Sequence, residues 1–236
     1  MDTREFPISG PSTTMPLMDR VMNSKETGKP FVRLAELSVD PTQIDRYRAA
    51  ARKHADTALR TEPRMLAIHF VSQADDPSQV RVLEMYLDEA AHREHLATRH
   101  FKEFRVATEG MVLAQRLHHA AEPVALAAKP QLHTGAVARV EELEIAPHCF
   151  EDYKVAATRR IREAMRLEPG VLTMYAVALK DTPTRLRFLE IYASSASCRE
   201  HVESPHFTKY VDLTRDMITA RRLIETEPIV LALKRR

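Results

Sequence analysis

At an offset of 106 residues the chain matches itself: Arg93-Glu94-His95 falls on Arg199-Glu200-His201, and no gap is needed from residue 34 to residue 117. Glu36-Leu37 then meets Glu142-Leu143, Tyr47 meets Tyr153, Glu62-Pro63 meets Glu168-Pro169, Leu83-Glu84 meets Leu189-Glu190, and His100-Phe101 meets His206-Phe207. Roughly a third of the paired positions are identical, too many over too long a stretch for chance. Such a duplication constrains the fold strongly, because any reading of one copy must also fit the other. The chain divides into an arm over residues 1–30, a first copy over 31–128, a linker over 129–135 and a second copy over 136–236. The arm, rich in Pro, Ser, Thr and Gly, reads as flexible, with Met15 to Met22 as a short amphipathic piece that could dock.

Within each copy the same elements recur. Phe31 to Val39 and Val137 to Ile145 are β-branched and apolar, which predicts strands. Asp40-Pro41 offers an N-cap and a proline for the first helical turn, while the second copy keeps Pro147 but has Ala146 at the cap. Helices follow to about Arg60 and Arg166, where Glu-Pro stops them. A hairpin comes next, from Met65 to Gln73 and Val80 to Leu87, matched by Val171 to Leu179 and Leu186 to Ala193. Another helix follows Asp88 or Ser194. It breaks at Thr98-Arg99 or Ser204-Pro205, and short last strands are expected at Val124–Ala128 and Ile229–Leu233.

The order β-α-β-β-α-β is the ferredoxin-like unit, whose sheet has helices on one face and an uncovered second face. Alternation places residues 80, 82, 84 and 86 of the third strand on one face and 81, 83, 85 and 87 on the other. Two such sheets in one chain can hide both open faces, so the expected fold is α+β: two ferredoxin-like modules forming an intramolecular dimeric α+β barrel. The chain would then be a monomer with an internal pseudo-dimer, or associate further as a homodimer.

With 35 basic and 33 acidic residues interspersed, the net charge of +2 gives no reason to expect nucleic acid or a membrane surface as partner. Two cysteines, Cys149 and Cys198, are too few for a disulfide framework, and no apolar run is long enough to span a bilayer. The start of the chain lacks the apolar core of a signal peptide, and a cytoplasmic setting is the expectation. Five glycines leave no phosphate-binding loop.

The stretch from Glu84-Met85-Tyr86 to His95-Leu96-Ala97-Thr98-Arg99-His100-Phe101, with its partner from Glu190-Ile191-Tyr192 to His201-Val202-Glu203-Ser204-Pro205-His206-Phe207, resembles the antibiotic biosynthesis monooxygenase family. That family carries an E-x-Y/W strand and an E-H-x-x-S-x-H-F segment across a helix break. The resemblance implies a dimeric α+β barrel. It also implies oxidation of quinols, anthrones or related aromatics by O₂, with no metal, flavin or haem cofactor. The chain has no tryptophan, a residue often found in active members and part of the Asn-Trp-His set of the haem-degrading relatives.

Such chemistry needs a base to form an electron-rich anion and a dry pocket where that anion meets O₂. His206 and His100, near a helix N-terminus, are the candidate bases, since the macrodipole there favours a neutral, proton-accepting ring. Glu84, Tyr86, Glu190, Tyr192, His95, His201, Phe101 and Phe207 are the candidate substrate contacts, Glu36 and Glu142 are expected to face the same enclosed space, and His69 and Tyr175 match each other on the second strand. Each set has a structural alternative. The histidines can bond across the helix break, Glu84 and Glu190 can pair with Tyr or with Arg33, Arg81 or Arg139, and His95 and His201 can be solvated helix residues. His-x-x-His at 92–95 and Cys-x-x-His at 198–201 supply too few matching donors for a metal, so no metal site is expected. Thr98-Arg99 in place of Ser-Pro makes the first copy the candidate for an inactive scaffold. The rival function is a non-catalytic or stress-related barrel that binds a small hydrophobic ligand.

Overall fold

A computed structural model describes residues 30–129 and 135–234, and both halves follow one order. In the first, β1 (Phe31–Val39) leads to α1 (Ile44–Thr61), β2 (Met65–Gln73), β3 (Gln79–Tyr86), α2 (Glu89–Ala97), α3 (Arg99–Ala107) and β4 (Val112–Ala128). In the second, β5 (Val137–Ile145) leads to α4 (Phe150–Leu167), β6 (Val171–Leu179), β7 (Thr182–Tyr192), α5 (Ser195–Glu203), α6 (Pro205–Thr214) and β8 (Ile218–Leu233). The arm with Met15 to Met22, and residues 130–134 of the linker, lie outside the described residues.

Local chemistry sets these boundaries. The Asp40 carboxylate accepts from the Thr42 N–H at 2.8 Å and Pro41 opens a short 3₁₀ turn ahead of α1. Ala146 has nearly the same backbone angles with no side-chain bond, so Pro147 alone starts the turn before α4. Glu62 and Glu168 end α1 and α4 in extended backbone, as a following proline requires.

The eight strands close into one barrel in the order β1-β3-β2-β8-β5-β7-β6-β4. Each half supplies a ferredoxin-like set of four, and the last strand of each crosses to the other half. Residues 112–121 of β4 pair with β1 and residues 122–128 with β6. Residues 218–226 of β8 pair with β5 and residues 226–233 with β2. These strands run to 17 and 16 residues, much longer than the five expected for each. Where their burial is described, their first parts are largely exposed, so no apolar alternation announces them. Pro123 and Pro228 sit beside register shifts close to where each strand changes partner, a place where a missing N–H is tolerated.

Side chains of both halves meet in the barrel interior, where Val32, Leu34, Leu83 and Met85 pack with Val140, Leu189 and Ile191. A separate core lies between each sheet and its helices: Tyr47, Ala51, Ala55, Val82 and Tyr86 in the first half, Tyr153, Ala157, Ile161, Phe188 and Tyr192 in the second. All nine residues of β2 and of β6 are buried because these strands are covered on both faces. The two faces expected for the third strand are therefore correct. One expectation is not met. Glu36 and Glu142 face the barrel interior, where Arg187 bonds Glu36 at 3.2 Å and Arg81 stands 3.8 Å from Glu142, whereas Glu84 and Tyr86 face the helices. His69 and Tyr175 also meet inside the barrel, with ring centroids 5.7 Å apart. Among the described residues no helix is long and apolar enough to cross a membrane.

Candidate functional site

The helix break brings together residues that the sequence keeps apart. Thr98 and Ser204 cap α3 and α6 by accepting from Phe101 N–H and Phe207 N–H, and their hydroxyls donate back to the His95 and His201 carbonyls, both at 2.7 Å. The chain turns sharply there, so that the two histidines of each copy converge on the glutamate that ends the long helix. His95 Nδ1 lies 2.8 Å and His100 Nε2 2.7 Å from Glu62 Oε1. In the second copy His201 Nδ1 lies 2.8 Å and His206 Nε2 2.5 Å from Glu168 Oε1. Thr98-Arg99 thus builds the same break as Ser204-Pro205.

Glu62 and Glu168 were not among the residues singled out by sequence. Their Glu-Pro pairing in both copies is visible, but it reads as a helix stop. His95 and His201 are fully buried, which rules out solvated helix positions for them. Phe101 and Phe207 stack edge-on against those rings at 4.9 and 5.0 Å. His92 and Cys198 do not join the cluster: His92 stacks on Phe31 at 4.9 Å and Cys198 accepts from Arg139 at 3.3 Å.

One layer deeper the copies part. Arg160, on α4 and 2% exposed, bonds Glu190 and also reaches His201 Nε2 at 3.1 Å. Tyr192 donates to the other Glu190 oxygen at 2.6 Å. A guanidinium only donates, so His201 Nε2 accepts and its Nδ1–H faces Glu168. Burial, and then the Arg160 charge, push the His201 pKa down and hold the ring neutral. The position of Arg160 is taken by His54 in the first copy. His54 stacks on Phe104 at 4.5 Å, its Nδ1 lies 3.4 Å from His100 Nδ1, and burial, helped by neighbouring His95, drops its pKa to about 3. Glu84 is met instead by Arg33, at 3.0 Å. Tyr86 makes no hydrogen bond as well formed as that of Tyr192.

Described cavities lie elsewhere: about 30 Å³ in the barrel beside His69, Glu36 and Arg187, and grooves of about 530 and 400 Å³ at equivalent junctions of the two halves. The first groove runs past Cys198 and Arg139 and the second past Phe31 and Asp88. None of the three includes His95, His100, His201 or His206.

A closed barrel assembled from two ferredoxin-like copies is the dimeric α+β barrel, here with both halves on one chain. The pattern of the antibiotic biosynthesis monooxygenase family matches residues 30–107 and again 136–213, and the chain belongs to that family. In fold it is similar to a protein of Lactobacillus acidophilus NCFM provisionally named a monooxygenase, with 21% identity, TM-score 0.82, and 87% of this chain and 97% of that one covered. It is also similar to a protein of Fusobacterium nucleatum, likewise provisionally named a monooxygenase, with 16% identity, TM-score 0.80, and coverage of 87% and 94%. A third, described as anthrone oxidase-like, aligns at 9% identity and TM-score 0.55 over 87% of this chain and 93% of its own. No protein of curated function matches the sequence.

Proposed function

We propose that the chain is a monooxygenase that oxidises a quinol- or anthrone-like aromatic with O₂, with His206 as the base and His100 as its counterpart. The observation that carries this reading is the His206–Glu168–His201 relay, repeated as His100–Glu62–His95. His206 is the partly exposed end of its relay and His201 the buried end, so a proton taken from substrate can be held by a carboxylate-backed imidazole. The resulting anion gives its electrons to O₂. One oxygen atom enters the substrate, and the other leaves as water with two substrate hydrogens. The substrate supplies all four electrons, so the balance closes without a further reductant. Glu84, Tyr86, Glu190, Tyr192, Phe101 and Phe207 would shape the site around the ring.

Oxygen uptake with a panel of quinols and anthrones, in air and under nitrogen, tests the reading. His206→Ala is expected to lower turnover by about 10²–10⁴-fold. Equal product without O₂, or unchanged turnover when His206→Ala and His100→Ala are combined, would sink it. The barrel cavity and the two grooves, none of which includes the four histidines, favour a second reading, a barrel that only binds a small apolar ligand. Ligand binding with no oxygen uptake across the panel would select that one.

A further inference from the structure

In the second copy a guanidinium nitrogen of Arg160 touches both Glu190 and His201 Nε2, a fixed cation between a carboxylate and an imidazole. The first copy keeps that carboxylate and that imidazole as Glu84 and His95, but His54 replaces the arginine. A third donor therefore stands where the second copy has a positive charge. One donor atom from each of His54, Glu84 and His95 lies within 4.8 Å of the others. All three residues are buried, at 3%, 6% and 0% exposure. The Nε2 atoms of His54 and His95 have no hydrogen-bond partner, an expensive arrangement for buried polar atoms unless something binds them. Arg33 engages Glu84 through Oε2, at 3.0 Å. Glu62 holds His95 through Nδ1 at 2.8 Å, the outer-shell carboxylate that orients a ligating imidazole and exposes its Nε2.

We propose that the first copy binds a divalent transition-metal ion through His54, His95 and Glu84. Two imidazoles and one carboxylate are the donor chemistry of zinc, cobalt and ferrous sites that keep an open position. Donors about 2.1 Å from a tetrahedral ion stand about 3.4 Å apart, so side-chain rotations closing the set by about an ångström complete the site. Two other groups also hold their donors within 4.8 Å of one another, Glu62–His95–His100 and Glu168–His201–His206. Their donors already face one another within each group, and they occur in both copies, so they would bind two ions per chain and not one.

Stoichiometry separates these cases without reference to turnover. The full chain, stripped with a chelator, is titrated with Co²⁺ by visible absorption and with Zn²⁺ by calorimetry. One ion per chain is expected, with a cobalt spectrum of two nitrogen ligands and oxygen. His54→Arg copies the second half and should keep the fold by circular dichroism while weakening binding by at least about 100-fold. His54→Gln serves as the second variant, with the same loss expected. Arg160→His should raise the count to two. No binding, two ions in the unaltered chain, or one ion that survives both His54 variants would overturn the assignment. A folded Arg160→His chain that still binds one ion would overturn the role given to this position.

Discussion

Glu84 and Glu190 occupy equivalent places on β3 and β7, yet each is neutralised from a different direction. Glu84 meets Arg33 on the neighbouring strand β1, and Glu190 meets Arg160 on the helix α4 that packs over it. The surroundings changed with the arginine. In the second half Arg160 lies over Phe207 and Tyr210 at 5.0 Å each, Tyr210 shares a hydrogen bond with Tyr153, and Glu141 adds a second buried carboxylate bonded by Arg221. The equivalent first-half residues are Phe101, Phe104, Tyr47 and Ala35, so that layer is aromatic and histidine-rich, with fewer charges. Both halves keep the strand arginine, as Arg33 and Arg139, but Arg139 turns to Glu225 and Cys198, so the buried carboxylate of the second half takes its countercharge from the helix. The first half, whose strand arginine already meets Glu84, carries His54 at the helix position.

The strongest way to break this comparison is to remove the two position-equivalent side chains in turn. Arg160→Met leaves Glu190 and Glu141 buried beside no helix cation, and should cost about 3–5 kcal/mol in urea unfolding. His54→Met in metal-free protein removes a neutral ring and leaves the Arg33–Glu84 pair whole, so its cost should be far smaller. Equal losses would show that the two halves do not differ as described.

Acid sharpens the contrast. Burial holds His54 and His69 near a pKa of about 3, against about 6.5 for an exposed imidazole, and their second-half counterparts are Arg160 and Tyr175. Between pH 6.5 and 3 the unfolded chain binds protons at these rings and the folded chain does not. Stability is thus intact above about pH 6.5 and falls as pH drops through that window. His54→Gln and His69→Phe, with chelator present, should each flatten the slope by up to about 1.4 kcal/mol per pH unit. Hydrogen exchange at pH 5 should rise sooner in α1 than in α4. A slope unchanged in both variants would assign the acid sensitivity elsewhere.

How far the sequence led depended on whether the two copies agree. The repeat made the element order, the barrel and the faces of β3 readable, because each face had to fit two sequences at once. It also brought His95, His100, His201 and His206 forward, and all four lie in the two clusters. Glu62 and Glu168 escaped because proline after glutamate already explains a helix end. His54 and Arg160 escaped for the opposite reason: unlike residues at one repeat position look like drift, and a single histidine on an apolar helix face looks like core. The early parts of β4 and β8 gave no alternation because their edges are solvated, and the strand-pairing that defines them is between distant residues. Only the folded chain shows which polar groups face each other across the helix–sheet gap.

The smallest effect tests where the halves are alike. Thr98 and Ser204 make the same two bonds, accepting from the residue three ahead at 3.3 Å and donating to the histidine carbonyl at 2.7 Å. Each alanine substitution should therefore cost about 1 kcal/mol, the usual loss for an N-cap, and the two values should agree within a few tenths. Pro205 pre-sets the first residue of α6 and Arg99 does not, but that difference acts on the backbone and leaves the cap hydroxyl untouched. Ser204 also lies 3.2 Å from His206 Nε2, so Ser204→Ala should alter the pH dependence of any turnover more than Thr98→Ala does. If Thr98→Ala proves neutral while Ser204→Ala costs the full amount, the helix break is a real point of divergence, and the His54–Arg160 exchange is not the main one.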